Sequence, residues 1–179
     1  SASGIDVYLV LRTVNPSPYM YFLDLPDELG GHFEVVGSSP ETLVKAERRR
    51  VWTYPIAGSR PRGADSAEDH RLAAELLEDP KELSEHVMLV DLARNDLSKV
   101  CDPASVEVST LMELKRFSHI QHISSTVTGV LRDDADALDA LVATFPAGTL
   151  SGAPKPRAIQ LIDVFEPAAR GVYGGVVGY

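Results

Sequence analysis

One cysteine in 179 residues, Cys101, excludes an internal disulfide and fits a reducing compartment. It stands beside Asp102-Pro103 with no activating partner in the sequence, so it reads as a structural thiol. No run approaches ~18 consecutive apolar residues, the length a membrane-spanning helix needs. The opening Ser1-Ala2-Ser3-Gly4 carries neither the basic nor the hydrophobic region of a signal peptide. These absences lead to the expectation of a cytoplasmic protein with no membrane partner. Positive charge is also scarce: 17 Lys and Arg face 26 Asp and Glu, a net charge of -9, which disfavours a phosphate-backbone binder. The basic clusters, Arg48-Arg49-Arg50 and Arg60 to Arg62, are short and interrupted by turn residues, so no nucleic-acid partner is expected. Internal repeats and low-complexity tracts are lacking too.

The composition that remains, 44% hydrophobic and 24% charged, is that of a globular chain long enough to bury one core. Apolar residues near helical spacing from Ile5 to Val14 predict a helix that Asn15-Pro16-Ser17-Pro18 ends. Tyr19 to Leu25, Phe33 to Gly37, Leu43 to Ala46 and Val51 to Ile56 are short aromatic and β-branched runs parted by turn residues. They predict a four-stranded antiparallel meander. Ser66 with Asp69 suits a capping box opening a helix through Leu77, and Asp79-Pro80 suits a second start. Phe117 to Leu131 predicts a long strand, Ala135 to Phe145 a helix with Leu138, Leu141 and Val142 on one face, and Pro154 to Phe165 another helix. Gly171 to Tyr179 reads as a buried strand that stops without a turn, which suggests a fragment. Blocks of strands and helices without strict alternation favour α+β over a doubly wound sheet.

Several segments could carry chemistry. From Lys81 to Leu97 apolar residues fall on nearly all sides of the middle (Val87, Met88, Leu89, Val90, Leu92), the pattern of a buried helix, yet Glu82 and Glu85 lie on one of its faces. A carboxylate out of water must be paired, hydrogen-bonded or metal-bound, so these acids are candidates for a site. Ordinary surface salt bridges with Lys81, His86 and Arg94 would account for the same charges. Ala147 to Lys155 is a loop of small residues before a helix, able to present N–H groups, Thr149 and Ser151 to a carboxylate or phosphate. Its glycine spacing is not that of a Walker loop, and a simple connection between helices is the plainer reading. Pro55 to Gly63 presents a hydroxyl, Ser59, and the guanidinium groups of Arg60 and Arg62 on a turn. His119 and His122, three apart on a strand, point to opposite faces, which argues against a two-histidine metal site. Glu41, after Ser38-Ser39-Pro40, is either exposed and idle or poised as a general acid.

Taken together and in order, Ser38-Ser39-Pro40-Glu41, Pro55 to Gly63, Glu85 to Leu97, Ser118 to Ile123, Phe145 to Lys155 and Tyr173 to Tyr179 resemble the motifs of the chorismate-utilising enzymes. The resemblance covers essentially Tyr8 to Tyr179 and is greatest to the large subunits of anthranilate synthases. It implies an antiparallel β-sandwich with helices packed outside, of which residues 1–179 would be a partial catalytic domain lacking the usual N-terminal and C-terminal parts. The implied reaction adds ammonia to chorismate at C2 with loss of the C4 hydroxyl, then eliminates pyruvate to leave anthranilate, a step of tryptophan biosynthesis. Magnesium would hold the substrate's ring carboxylate. By motif, Glu85 resembles a metal ligand with Glu82 in support, Glu41 the general acid and His122 the histidine beside the reacting ring. Ser59, Gly148, Thr149 and Tyr179 resemble substrate contacts. Pro18, Tyr19 and Met20 are similar to part of a tryptophan feedback site. No glutaminase cysteine motif is present, so ammonia would come from a separate glutamine amidotransferase subunit. Ala57 stands where some aminodeoxychorismate synthases carry a lysine nucleophile, which excludes covalent catalysis of that kind. Within the family, aminodeoxychorismate synthase is the first alternative and isochorismate or salicylate synthase the next. A non-catalytic binding module is the alternative outside enzymology.

Overall fold

The computed structural model describes residues 2–27 and 29–179 and divides into two compact units, residues 1–41 and 42–179. In the first, helix α1 (Gly4–Val14) starts at a reciprocal cap between Ser3 and Asp6 and stops before the Asn15-Pro16 pair that the sequence marks as its end. Strands β1 (Tyr19–Pro26) and β2 (His32–Ser39) form a two-stranded antiparallel sheet in register from Tyr19 opposite Ser39 to Pro26 opposite His32. Gly37 is where the ring of Tyr21 lies flat on the backbone; a Cβ there would sit 2.0 Å from it.

In the second unit, β3 (Lys45–Glu47), β4 (Arg50–Thr53), β5 (Ile56–Pro61), β6 (Glu107–Arg116) and β7 (Ile120–Val130) form one antiparallel sheet. The four-stranded meander expected from the sequence is therefore two sheets. The run Val51 to Ile56, read as one strand, is the end of β4 and the start of β5. Pro55 has no N–H to give to a ladder, so pairing breaks there and resumes beyond it. Its carbonyl still accepts from the Ser125 amide at 3.1 Å. Both pieces lie along one edge of β7: β5 pairs with residues 120–124 and β4 with residues 127–130. The other edge takes β6, a strand absent from the sequence expectation. Two register shifts and the positive φ of Met112 interrupt its alternation, and its exposed face carries Leu111 among the polar residues. A period-2 pattern is hard to see across such breaks.

Helix α2 (Ser66–Glu78) is capped by Asp65, whose carboxylate accepts from the Glu68 amide at 2.9 Å, one residue ahead of the expected Ser66. Asp69 serves elsewhere: it is buried against Arg62, accepting from Nε at 2.8 Å and from the second guanidinium nitrogen at 2.9 Å, with Gly63 N–H at 2.9 Å. Helix α3 (Pro80–Ser98) starts as the sequence indicates, with Asp79 capping the Lys81 and Glu82 amides and Pro80 in the first turn. Its burial is one-sided. Val90, Ala93 and Leu97 join the core with the sheet residues Val51 and Val127 and Leu89 is buried too, whereas Val87 and Met88 are exposed, so apolar residues on all sides did not mean burial on all sides. The core joins Val51, Val90, Ala93, Leu97, Val100, Cys101, Val127, Leu131 and Ala140, and Cys101 is the buried structural thiol expected, its pKa pushed up by burial.

Helices α4 (Ala137–Thr144), α5 (Gly148–Ser151) and α6 (Lys155–Phe165) follow. The apolar stripe expected to bury α4 is uncovered: Leu138 and Val142 are 70% and 75% exposed, while Ala140 and Thr144 face inward. Residues 175–179 form no strand and Tyr179 is fully exposed, so the β-branched composition of this stretch does not produce a strand without a partner to pair with. The α+β class and the antiparallel sheets match the sequence reading. Among the described residues no helix is long and apolar enough to cross a membrane.

Two outcomes follow from this packing. Leu97 is completely buried, so Leu97→Ala should lower the unfolding free energy by about 2–5 kcal/mol in denaturant titrations. The Asp69 carboxyl is held far below the usual carboxylate range, first by the hydrogen bond from Arg62, then by the Gly63 amide, with the charges of Arg62 and Arg116 adding to it. Such a group stabilises the fold above its unfolded pKa of about 4 and loses that contribution as pH falls below it. Asp69→Asn should therefore lower the melting temperature at pH 7 and flatten its decline on acidification below pH ~4.

Candidate active site

The densest meeting of the implicated residues is at Gly58. Ala57 pairs with Ile123 and Ser59 with His122, so Gly58 is an extra residue in β5, a bulge with φ of 70°. A Cβ there would lie 2.9 Å from Leu76 Cδ1 and 3.1 Å from Glu82 Oε2. The positive φ favours glycine at this point, and the close Leu76 methyl and Glu82 carboxylate leave little room for a Cβ. Its carbonyl lies 3.0 Å from His122 Nδ1. A carbonyl can only accept, so Nδ1 is the donor to it, which in the neutral tautomer leaves the lone pair at Nε2. The Phe117 ring meets the imidazole edge-on, with centroids 5.9 Å apart. Ser59 is exposed and directly across from His122 in the ladder. Gly58 is thus the point that His122 and Glu82 both approach, His122 at its carbonyl and Glu82 where a Cβ would stand, with Ser59 the ladder partner of His122.

Glu82 belongs to the first turn of α3, and Glu85 lies one turn further along it. Their side chains are 16% and 47% exposed. The charge on Glu85 is therefore solvated and needs no metal to exist there, which corrects the argument from burial. The two carboxylates nevertheless converge on one cationic point: Lys81 Nζ lies 3.2 Å from Glu82 Oε1 and 3.6 Å from Glu85 Oε2. The hydrogen bond to Glu82 and the two negative charges hold the Lys81 pKa above its ordinary value. Lys81 is well exposed and can swing aside, leaving two oxygen donors of the kind a hard divalent cation takes, with water and ligand oxygens completing its shell. Among the described residues no three His, Cys, Asp or Glu side chains gather in a ready metal cluster.

The small-residue segment is also tied to α3. A Cβ on Gly148 would lie 2.2 Å from Leu92 Cδ2, so in this arrangement glycine lets α5 sit against this part of the helix without moving the Leu92 side chain. Leu89, the next neighbour of Gly148, is one turn beyond Glu85, a rise of ~6 Å. The segment is a single helical turn rather than an open cradle, with Leu150, Ser151 and Gly152 amides already bonded to Ala147 and Gly148 carbonyls. Thr149 lies exposed on that turn.

Glu41 is the exposed last residue of the 1–41 unit, its amide donating to Ser39 Oγ at 3.2 Å; in the same unit Pro18 lies just before β1, and Tyr19 and Met20 open it. Tyr179 is exposed beyond α6. Arg60 and Arg62 do not wait for a ligand: Arg60 pairs with Asp79 at 3.0 Å, and Arg62 is spent on Asp69 and the Phe117 carbonyl. His119 lies in the turn before β7 rather than on the strand. His86, grouped with surface charges in the sequence reading, is fully buried, with Nε2 2.6 Å from Ser125 Oγ and a pKa lowered by burial. Ser125 Oγ also accepts from the Met112 amide at 2.9 Å, so this pair ties α3 to the irregular part of β6. Only its i, i+3, i+4 relation to Leu89 and Val90 hinted that His86 faces inward.

A profile of the family described as chorismate binding enzyme matches residues 1–179. Anthranilate synthase component 1 of Arthrobacter globiformis is 62% identical over 99% of this chain and 34% of its own length. The crystal structure of anthranilate synthase component I from Streptococcus pneumoniae superposes with a TM-score of 0.87 at 44% identity, covering all of this chain and 38% of that one. A Bacillus anthracis protein assigned as a 2,3-dihydroxybenzoate-specific isochorismate synthase gives a TM-score of 0.82 at 30% identity over 94% of this chain and 45% of that one. The chain spans about a third of the length of the curated relatives it matches. With the family profile matched from end to end and the fold shared with solved members, this chain belongs to the chorismate-binding enzymes.

Proposed function

We propose that this chain is part of a catalytic domain of the anthranilate synthase type, a magnesium-dependent lyase that turns chorismate and ammonia into anthranilate and pyruvate. The observation that carries the reading is its 62% identity, over nearly its whole length, to a component 1 of that enzyme, against 30% to the isochorismate synthase relative. Glu82 and Glu85 would hold magnesium, which when bound supplies positive charge against a substrate carboxylate. Glu41 would donate a proton to the departing C4 hydroxyl as ammonia bonds to C2, so that water leaves. His122, with Nδ1 fixed as donor to the Gly58 carbonyl, has Nε2 available to accept the ring proton lost when pyruvate is eliminated. Ser59, Gly148, Thr149 and Tyr179 would contact and orient the substrate. Ala57, where a lysine nucleophile stands in some aminodeoxychorismate synthases, leaves ammonia as the attacking nitrogen. A glutamine amidotransferase subunit would deliver that ammonia, the setting would be cytoplasmic, and Pro18, Tyr19 and Met20 would contribute to a tryptophan feedback site.

Protein made from the whole reading frame that encodes this chain, given chorismate, magnesium and ammonium salt, should form anthranilate, read by its fluorescence. Isochorismate, salicylate or aminodeoxychorismate as product would overturn the assignment. Glu85→Gln should raise the magnesium concentration for half-maximal rate by roughly tenfold or more, because one of two anionic ligands becomes neutral. An unchanged magnesium dependence would remove Glu85 from the site. His122→Ala should lower kcat by about 10²–10⁴, the range of a lost acid–base group, with the circular dichroism spectrum retained.

A further inference from the structure

We propose that Lys155 is a positioning residue that clasps the small-residue segment 145–154 at its base and pins it to α3; this rests on reading Gly148 and Thr149 as substrate contacts. Lys155, the first residue of α6, is buried, and its Nζ donates to the carbonyl of Thr144, the last residue of α4, at 2.6 Å. The same nitrogen lies 2.6 Å from Asp96 Oδ2 on α3. One ammonium therefore ties together the two ends of the segment and fixes both to the helix that bears Glu82 and Glu85.

The second attachment is in line with the first. Gly148 seats on Leu92, one turn of α3 before Asp96, so both grips lie on the same stripe of that helix. A buried ammonium is costly unless all its acceptors are in place, which makes the seated position of the segment two-state rather than graded. Asp96 Oδ1 also accepts from Lys99 Nζ at 2.8 Å. Loss of the Lys155 charge thus leaves the Asp96 carboxylate paired, and Lys155 is not a member of the core of Leu97, Val90 and Val127. Without the clasp the same groups of α5 remain, but each binding event must order them, a cost that falls on substrate affinity.

The test is Lys155→Met in protein from the whole reading frame, with two readouts. Amide exchange in residues 147–153 should quicken by about tenfold or more while α3 and β7 stay protected. KM for chorismate should rise about tenfold with kcat changed less than about threefold, the signature of lost positioning rather than lost chemistry. In Asp96→Asn/Lys155→Met the segment should exchange no faster than in Lys155→Met alone, within about twofold, since both residues serve one clasp. Unaltered exchange in the segment, or loosening spread equally over α3 and β7, overturns the clasp. Should the parent protein leave chorismate untouched, the functional reading fails, while the exchange result still decides whether Lys155 holds the segment.

Discussion

The double-edged pairing of β7 is the constraint on which the larger unit depends. Along one side it carries β5 and then β4, along the other β6, and its inward residues Ile123 and Val127 are fully buried. A strand with both edges satisfied leaves no backbone donors for water or aggregation, and it can serve as the floor on which α3 lies. Ser125 and Thr128 are also buried on it, which would be costly without partners. Ser125 bonds His86, and Thr128 Oγ1 donates to the Val51 carbonyl at 2.9 Å, so polar groups as well as apolar ones lock helix and strands to this floor.

The residues proposed for the reaction stand at irregularities of that arrangement. Regular pairing of β5 with β7 would turn residue 58 into an ordinary ladder position. The bulge instead pushes the Gly58 carbonyl toward His122 and opens the space that the Glu82 carboxylate fills. The imidazole is thereby fixed in one tautomer by a backbone group, while its neighbours in the ladder remain structural. On the far side of the same helix start, α3 passes from exposed acids at Glu85 to buried apolar residues at Leu89 and Val90 within a turn. This single element therefore faces solvent chemistry at one end and the core at the other, with the small-residue segment seated between them.

Much of this was legible in the residues. The Asp79-Pro80 start of α3, the Asn15-Pro16 stop of α1, the strand of β7 and the buried Cys101 all follow from local rules about caps, proline and β-branched side chains. Glu82, Glu85, Ser59 and His122 were named through the order of motifs, and their shared role remains the proposal. What escaped was decided by partners distant in sequence. Leu138 and Val142 make a clear apolar stripe, yet nothing in the described chain covers it, so periodicity alone gave the wrong face. His86 sits among charges in the sequence, and only the packing of α3 on β7 turns it inward to Ser125.

The sequence by itself determined where helices begin, where strands cannot continue and which residue types are available for acid–base and cation chemistry, because each of these depends on groups within a few positions of one another. Tertiary structure alone decided that Arg60 and Arg62 are consumed by Asp79 and Asp69, that Gly58 rather than Ser59 orients His122, and that Lys155 reaches Asp96. Those outcomes depend on bringing together residues 7 to 64 positions apart, and on which charges lose their water when they meet, neither of which any local pattern encodes.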